Sequence, residues 1–159
     1  LCSEYSDEIL ILSGDKDFIQ LQKYPNVKQY SPITKKMVTG ENPDTYLKEH
    51  VFKGDTSDGI PNVLSPDNTF TDGLRQKPLG KKKIASWIEH DFNDVAPNEE
   101  VKRNFQRNRK LIELSYKTEE LSDDIINTYK EAPSNDRSKL LNYFIQKRLK
   151  NLTESIGEF

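Results

Sequence analysis

The sequence predicts an α/β chain: a short piece of mixed sheet, then a mainly helical C-terminal region. Three observations carry this. Residues 9–12, Ile-Leu-Ile-Leu, form a continuous apolar run, as in a buried strand of a mostly parallel sheet. Two short extended pieces follow it, separated by turn residues. Beyond residue 98, apolar residues recur at helical spacing over two long stretches.

The first strand ends in Ser13-Gly14-Asp15, and Lys16 to Gln20 is a helix start. Residues 27–30 and 36–38 are the extended pieces, and Pro32-Ile33-Thr34-Lys35 between them suits a hairpin. Asn42-Pro43-Asp44 opens a helix, with Asn42 as N-cap and Pro43 at the first helical position. That helix runs to about Lys53 and is ended by Gly54. Residues 58–78 are rich in Gly, Pro, Asn, Asp and Ser, a long loop or insertion of the kind that is often mobile. Leu79-Gly80-Lys81-Lys82-Lys83 then leads into a helix carrying Ile84, Ala85, Trp87 and Ile88. A helix over about 98–115 places Val101, Phe105 and Ile112 on one face, and a last one runs from near 134–136 towards Ile156. The domain division expected is 1–53, a sheet-bearing α/β part, and 54–159, the loop and helices.

Composition narrows the function. The chain has 159 residues, a net charge of −2, and 31% charged against 33% hydrophobic residues. Such a balance carries no signature of nucleic-acid binding, so any such argument must rest on local charge. The single cysteine, Cys2, excludes a disulfide framework and a thiolate zinc cluster. His50 and His90 lack the spacing of a local metal motif. No run approaches the roughly 18 apolar residues of a membrane span, and a reducing cytoplasm is the natural setting. The start at Leu1, almost directly before a strand, is expected of a chain cut from a larger protein.

Two carboxylate pairs carry the chemistry. Asp15 and Asp17 follow the first strand directly, and ligands of open α/β sheets sit beyond the carboxyl ends of strands. Paired oxygen ligands suit a hard cation such as Mg²⁺, although the same acids also suit helix N-capping. Asp55 and Asp58 lie three apart in Gly54-Asp55-Thr56-Ser57-Asp58-Gly59-Ile60-Pro61. They share one side if that stretch is helical, and taken alone they read as an acidic helix end and turn. Four acids brought together repel one another unless cations neutralise them. Phosphodiester hydrolysis often uses two metal ions held by such a cluster.

Taken in order, these stretches resemble the flap-endonuclease family of 5′-nucleases. The family's strand followed by Gly-Asp-x-Asp is matched by Ile11-Leu12-Ser13-Gly14-Asp15-Lys16-Asp17. Its Gly-Asp-x-x-Asp-x-Ile-Pro element is matched at Gly54 to Pro61. Its glycine-rich turn corresponds to Pro78-Leu79-Gly80-Lys81-Lys82-Lys83-Ile84-Ala85, and its Asn-x-x-Leu-Ile segment to Asn108-Arg109-Lys110-Leu111-Ile112. The closing helical region is similar to the ribonuclease H type of T-even phages.

The resemblance implies the C-terminal part of a PIN-like mixed-sheet nuclease core, with a helix-three-turn-helix element over about residues 61–85. It implies that Asp15, Asp17, Asp55 and Asp58 are catalytic metal ligands, sharing two Mg²⁺ ions (or Mn²⁺ as a substitute) with further acids from an N-terminal half. Gly80, Lys81, Lys82 and Lys83 are implied to bind DNA phosphates, through close backbone approach and neutralising charge. The implied activity is 5′→3′ exonuclease and flap cleavage of DNA and RNA–DNA duplexes, serving primer removal in phage replication. The setting implied is the cytoplasm of the infected bacterial host, the protein a monomer, with a phage single-strand-binding protein as a partner. The stretch between Asn62 and Leu79 is longer than is usual in the family, and Pro78 stands where the turn's first Gly is expected, or that Gly has moved to Gly73. This implies an altered DNA-binding geometry. A non-catalytic DNA-binding or replication-protein interaction module is the competing reading. Trp87 is expected to be a core anchor. Arg103, Arg107, Arg109 and Lys110, and likewise Lys147, Arg148 and Lys150, are expected on solvated helix faces.

Overall fold

In the computed structural model, which describes residues 1–132 and 137–158, the sheet has the strand order β1-β2-β3. The strands are β1 (Ile9–Leu12), β2 (Val27–Ser31) and β3 (Lys36–Met37). β1 and β2 are parallel, with Ile9 opposite Val27 and Leu12 opposite Tyr30. β3 returns antiparallel, with Tyr30 opposite Met37, as the hairpin residues predict. The parallel crossover is a 3₁₀ segment, Lys16–Lys23, where the sequence suggested an ordinary helix start. The burial expected of β1 is not found. Leu10 is 53% and Leu12 66% exposed: they share one face of the strand, and the described residues leave that face largely uncovered.

The helices of the first unit, Leu1–Thr118, are α1 (Pro43–Lys53), α2 (Lys81–Ile88), α3 (Phe92–Val95) and α4 (Glu99–Ile112). Helix α1 has the predicted limits. Asn42 accepts a hydrogen bond from the Thr45 amide, Pro43 opens the first turn, and Gly54 closes the last at φ +68°. Only glycine suits Gly54 on two counts. That φ is left-handed, and a Cβ there would stand 2.3 Å from the Ile60 carbonyl oxygen. The core gathers Phe52, Val63, Ile84, Trp87, Phe92 and Val101, with Phe105 packed against it. Ring centroids of Phe52 lie 5.3 Å from Trp87 and 4.9 Å from Phe92, so Trp87 is the core anchor expected.

Residues 58–78, which composition suggests are a loose loop, are tied down over 62–78. Val63, Ser65 and Thr69 are fully buried. Asn62 donates to the Lys77 carbonyl at 2.8 Å, and the Lys77 amide donates to Ser65 Oγ at 2.9 Å, which ties the two ends together. Helix α4 holds the loop from the other side through two fully buried asparagines one turn apart. Asn104 donates to the carbonyls of Val63 (3.1 Å) and Ser65 (3.2 Å). Asn108 donates to those of Val51 and Pro61, both at 2.9 Å. Arg103 and Arg107 pair with Asp67 of the loop, and Arg107 also donates to the Pro61 carbonyl at 3.0 Å. These two arginines therefore clamp the loop, correcting the expectation of a merely solvated face. Asn108→Ala removes the side-chain donor of the buried Val51 carbonyl and leaves the Pro61 carbonyl to Arg107 alone, and is expected to cost about 2 kcal/mol. Urea unfolding of the variant checks this through its midpoint.

The second unit, Glu119–Phe159, contains α5 (Glu119–Glu131), α6 (Leu140–Gln146) and α7 (Lys150–Glu154). Helix α5 was not foreseen. The long last helix expected is broken between α6 and α7, where Arg148 has φ +54°. Its proposed start near 134–136 lies outside the described residues.

Candidate metal centre and nucleic-acid face

The turn after β1 carries the first acid pair. Asp15 caps the 3₁₀ segment, its Oδ1 accepting from the Asp17 amide at 3.0 Å. Gln29 of β2, fully buried, fixes this turn by donating to the carbonyls of Ser13 (2.9 Å) and Asp15 (2.6 Å). Gly14 leaves room for Ser31 of β2, since a Cβ there would lie 2.9 Å from Ser31 Oγ. The sheet thus sets the backbone that presents Asp15 to solvent and turns Asp17 half inward.

The second pair sits on a hydrogen-bonded turn and not on the helix that a shared face would require. Asp55 pairs with Ile60 as an isolated antiparallel bridge, and the Ile60 amide donates to the Asp55 carbonyl at 2.7 Å. Asp55 Oδ1 accepts from the amides of Ser57 (2.8 Å) and Asp58 (3.3 Å) and from the Ser57 hydroxyl. Asp58 is exposed.

The two turns meet at α1. His50 Nε2 is 3.0 Å from Asp55 Oδ2, and His50 Nδ1 is 3.4 Å from Asp17 Oδ1. One ligand atom each of Asp17, His50 and Asp55 lies within 4.8 Å of the other two, a donor set that fits a divalent cation. Electrostatics agree with four acids in one neighbourhood. Burial raises the Asp17 carboxyl above its usual range; His50 opposes this, while Asp15, Asp55 and Asp58 add to it. The Ser57 hydroxyl holds Asp55 below the usual range against the effect of burial, helped by the Ser57 and Asp58 amides and His50. Tyr46, one turn before His50 with ring centroids 5.9 Å apart, is raised by burial and then by Asp17, Asp55 and Asp15.

The sequence predicts a centre of four acids without His50; the structure brings Asp17 and Asp55 together with His50 and leaves Asp15 and Asp58 exposed on the two turns. The clue available was a Tyr46/His50 pair one turn apart, directly before Gly54-Asp55. No local spacing rule reports a partner such as Asp17, which arrives from a different turn.

The second group of expected site residues lies at the start of α2. Gly80 is its N-cap, without a side-chain hydrogen bond to the first amides, and Lys81, Lys82 and Lys83 are all exposed. Gly80 has an ordinary φ of −81°, and nothing lies within 4 Å of where its Cβ would stand. A side chain at position 80 would meet nothing in this chain, so the backbone there is open from outside. Lys83 is partly committed, its ammonium lying 4.9 Å from the Trp87 ring centroid. Turns fill the segment between Gly54 and α2, and no α-helix forms there.

The fold and site thus define an α/β chain with an acidic, histidine-containing centre at the end of a parallel strand pair, suited to a divalent cation. The family model for the C-terminal region of phage T4 RNase H matches residues 41–159, and the chain belongs to that family. It is 35% identical to the ribonuclease H of Enterobacteria phage T4, over 96% of this chain and 52% of that protein. The chain spans about half the length of the curated relative it matches. Among the described residues, no helix is long and apolar enough to cross a membrane.

Proposed function

We propose that this chain is the C-terminal part of a Mg²⁺-dependent 5′-nuclease acting on RNA–DNA and DNA duplexes, as 5′→3′ exonuclease and flap endonuclease. The observation that carries this is the convergence of Asp17 and Asp55, from two separate turns, on one atom-scale centre. In this reading Asp15, Asp17, Asp55 and Asp58 hold an ion and its water shell, and the remainder of the protein supplies further acids for a second. Divalent ions held by these acids would supply Lewis-acid polarisation of the scissile phosphate and activation of the attacking water, so no side-chain nucleophile would be needed. Gln29 and the Asp55–Ile60 bridge hold the two acidic turns in register, a positioning role. Gly80 and Lys81 to Lys83 grip the duplex by its phosphates, independently of sequence. The biological setting is primer removal in phage replication within the host cytoplasm, by a monomer that works beside a single-strand-binding protein.

A second reading is favoured by one observation, the exposed cations Lys81, Lys82 and Lys83 at the start of α2: the segment by itself binds duplex without cutting it. Cleavage of a 5′-overhang duplex, with Mg²⁺ or with EDTA, separates the two. The complete protein is expected to release 5′ products only with Mg²⁺, and this chain alone to release few or none. Cleavage by the complete protein that persists in EDTA would overturn the metal-nuclease reading.

A further inference from the structure

We propose that His50 is itself a ligand of the metal centre, through Nδ1, and that this nitrogen biases the centre towards borderline first-row ions such as Zn²⁺ over Mg²⁺. The inference rests on the metal-nuclease reading above and concerns which ion that centre prefers.

The His50 imidazole is flanked at both ring nitrogens. Its two nitrogens face two carboxylates at unequal distances. Nε2 is 3.0 Å from Asp55 Oδ2, an ordinary hydrogen bond, whereas Nδ1 is 3.4 Å from Asp17 Oδ1, longer than one. Asp55 has only Oδ2 to offer, since its Oδ1 already accepts from Ser57 and Asp58. Nε2–H therefore donates to Asp55, and Nδ1 carries its lone pair beside the Asp17 oxygen. A carboxylate behind an imidazole is how metal-binding histidines are oriented and made better donors. Tyr46 packs edge-on against the ring and limits its rotation. Asp17 is then the oxygen ligand beside Nδ1, and Asp55, which stays one of the acids of the centre, also orients His50 through Oδ2. An imidazole nitrogen suits Zn²⁺, Fe²⁺ and Ni²⁺, while an all-oxygen set suits Mg²⁺. His90 makes a control. Its Nδ1 is 2.8 Å from the Ser86 carbonyl oxygen, so that nitrogen carries the proton and is not a donor to metal.

The test uses the full chain labelled with ¹⁵N-histidine, with Zn²⁺ and Mg²⁺ as probes. Zn²⁺ is expected to shift the His50 Nδ1 resonance while Nε2 stays protonated, with His90 unchanged. In calorimetry, His50→Gln is expected to lower Zn²⁺ affinity at least ~10-fold and Mg²⁺ affinity by less than ~3-fold. Asp55→Asn is expected to weaken Zn²⁺ binding in the same direction. A His50 resonance unmoved at saturating Zn²⁺, or equal loss of both metals in the variant, overturns the proposal. If Mg²⁺ binding depends on Asp17 while His50 stays silent, only the His50 assignment fails. If Asp17→Asn leaves both metals bound as before, the metal-centre reading fails with it.

Discussion

Asp17→Asn, made in the complete protein, is expected to lower the cleavage rate of a 5′-overhang duplex by at least ~100-fold. Duplex affinity should change little, since phosphate contacts and not this carboxylate position the substrate. Stability provides the discriminating second readout. Burial raises the Asp17 carboxyl, so its ionised form is less favoured in the folded chain than in the unfolded one. The stability such a group contributes is fully present below its unfolded pKa and is lost as pH rises through the raised folded value. At neutral pH an ionised Asp17 therefore opposes folding, and an amide there does not. Asp55 works the other way. Its carboxyl is lowered, first by the Ser57 hydroxyl, so its contribution is present above the unfolded value and lost as pH falls through the lowered one. In EDTA at neutral pH, Asp17→Asn is expected to melt no lower than the parent chain. Saturating Mg²⁺ should raise the parent's Tm by linkage and leave the variant's unmoved. Calorimetric scans beside the rate assay check both. A variant that loses activity and stability together would make Asp17 a structural residue and sink the assignment.

The residues read correctly from sequence are those whose reasons are local. Helix α1 has its predicted limits because Asn42, Pro43 and Gly54 act within one turn of themselves. The turn bearing Asp15 and Asp17 is legible for the same reason: an apolar run ends and acids begin. What could not be read depends on partners elsewhere in the chain. Composition marks residues 58–78 as loose, but Asn104 and Asn108 of α4 supply donors that tie the segment to the helix. Arg107 looks like a surface cation until Asp67 and the Pro61 carbonyl are seen facing it. The break at Arg148 is a positive-φ residue that is not glycine, so no turn former announced it. Helix α5 was legible and missed: Leu121, Ile125 and Tyr129 recur at four-residue spacing after Glu119 and Glu120. His50 belongs with the non-local group, for its role exists only once two turns have folded against α1. The acids show in the sequence as a family pattern. The nitrogen among them shows only in the fold.

Replacing Lys81, Lys82 and Lys83 together by alanine is expected to weaken duplex binding uniformly across sequences. The slope of log affinity against log salt should fall by about 2 to 3, since each phosphate neutralised contributes close to one. The lower figure follows if Lys83 stays engaged with the Trp87 ring 4.9 Å away and contributes little to phosphate binding. Three cations in the first turn of α2 oppose the helix dipole, whose positive end lies there, and alanine is the better helix former. The triple variant should therefore melt no lower than the parent, apart from the small loss of the Lys83–Trp87 contact. An anion binding from outside would offset the cost of cations at an N-cap with no side-chain hydrogen bond. Equilibrium binding to one duplex across a salt series, with the variant's thermal scan beside it, decides the matter. A slope unchanged by the triple substitution would move the DNA-binding face elsewhere on the protein. A shallower slope with an unchanged Tm would place it at the start of α2.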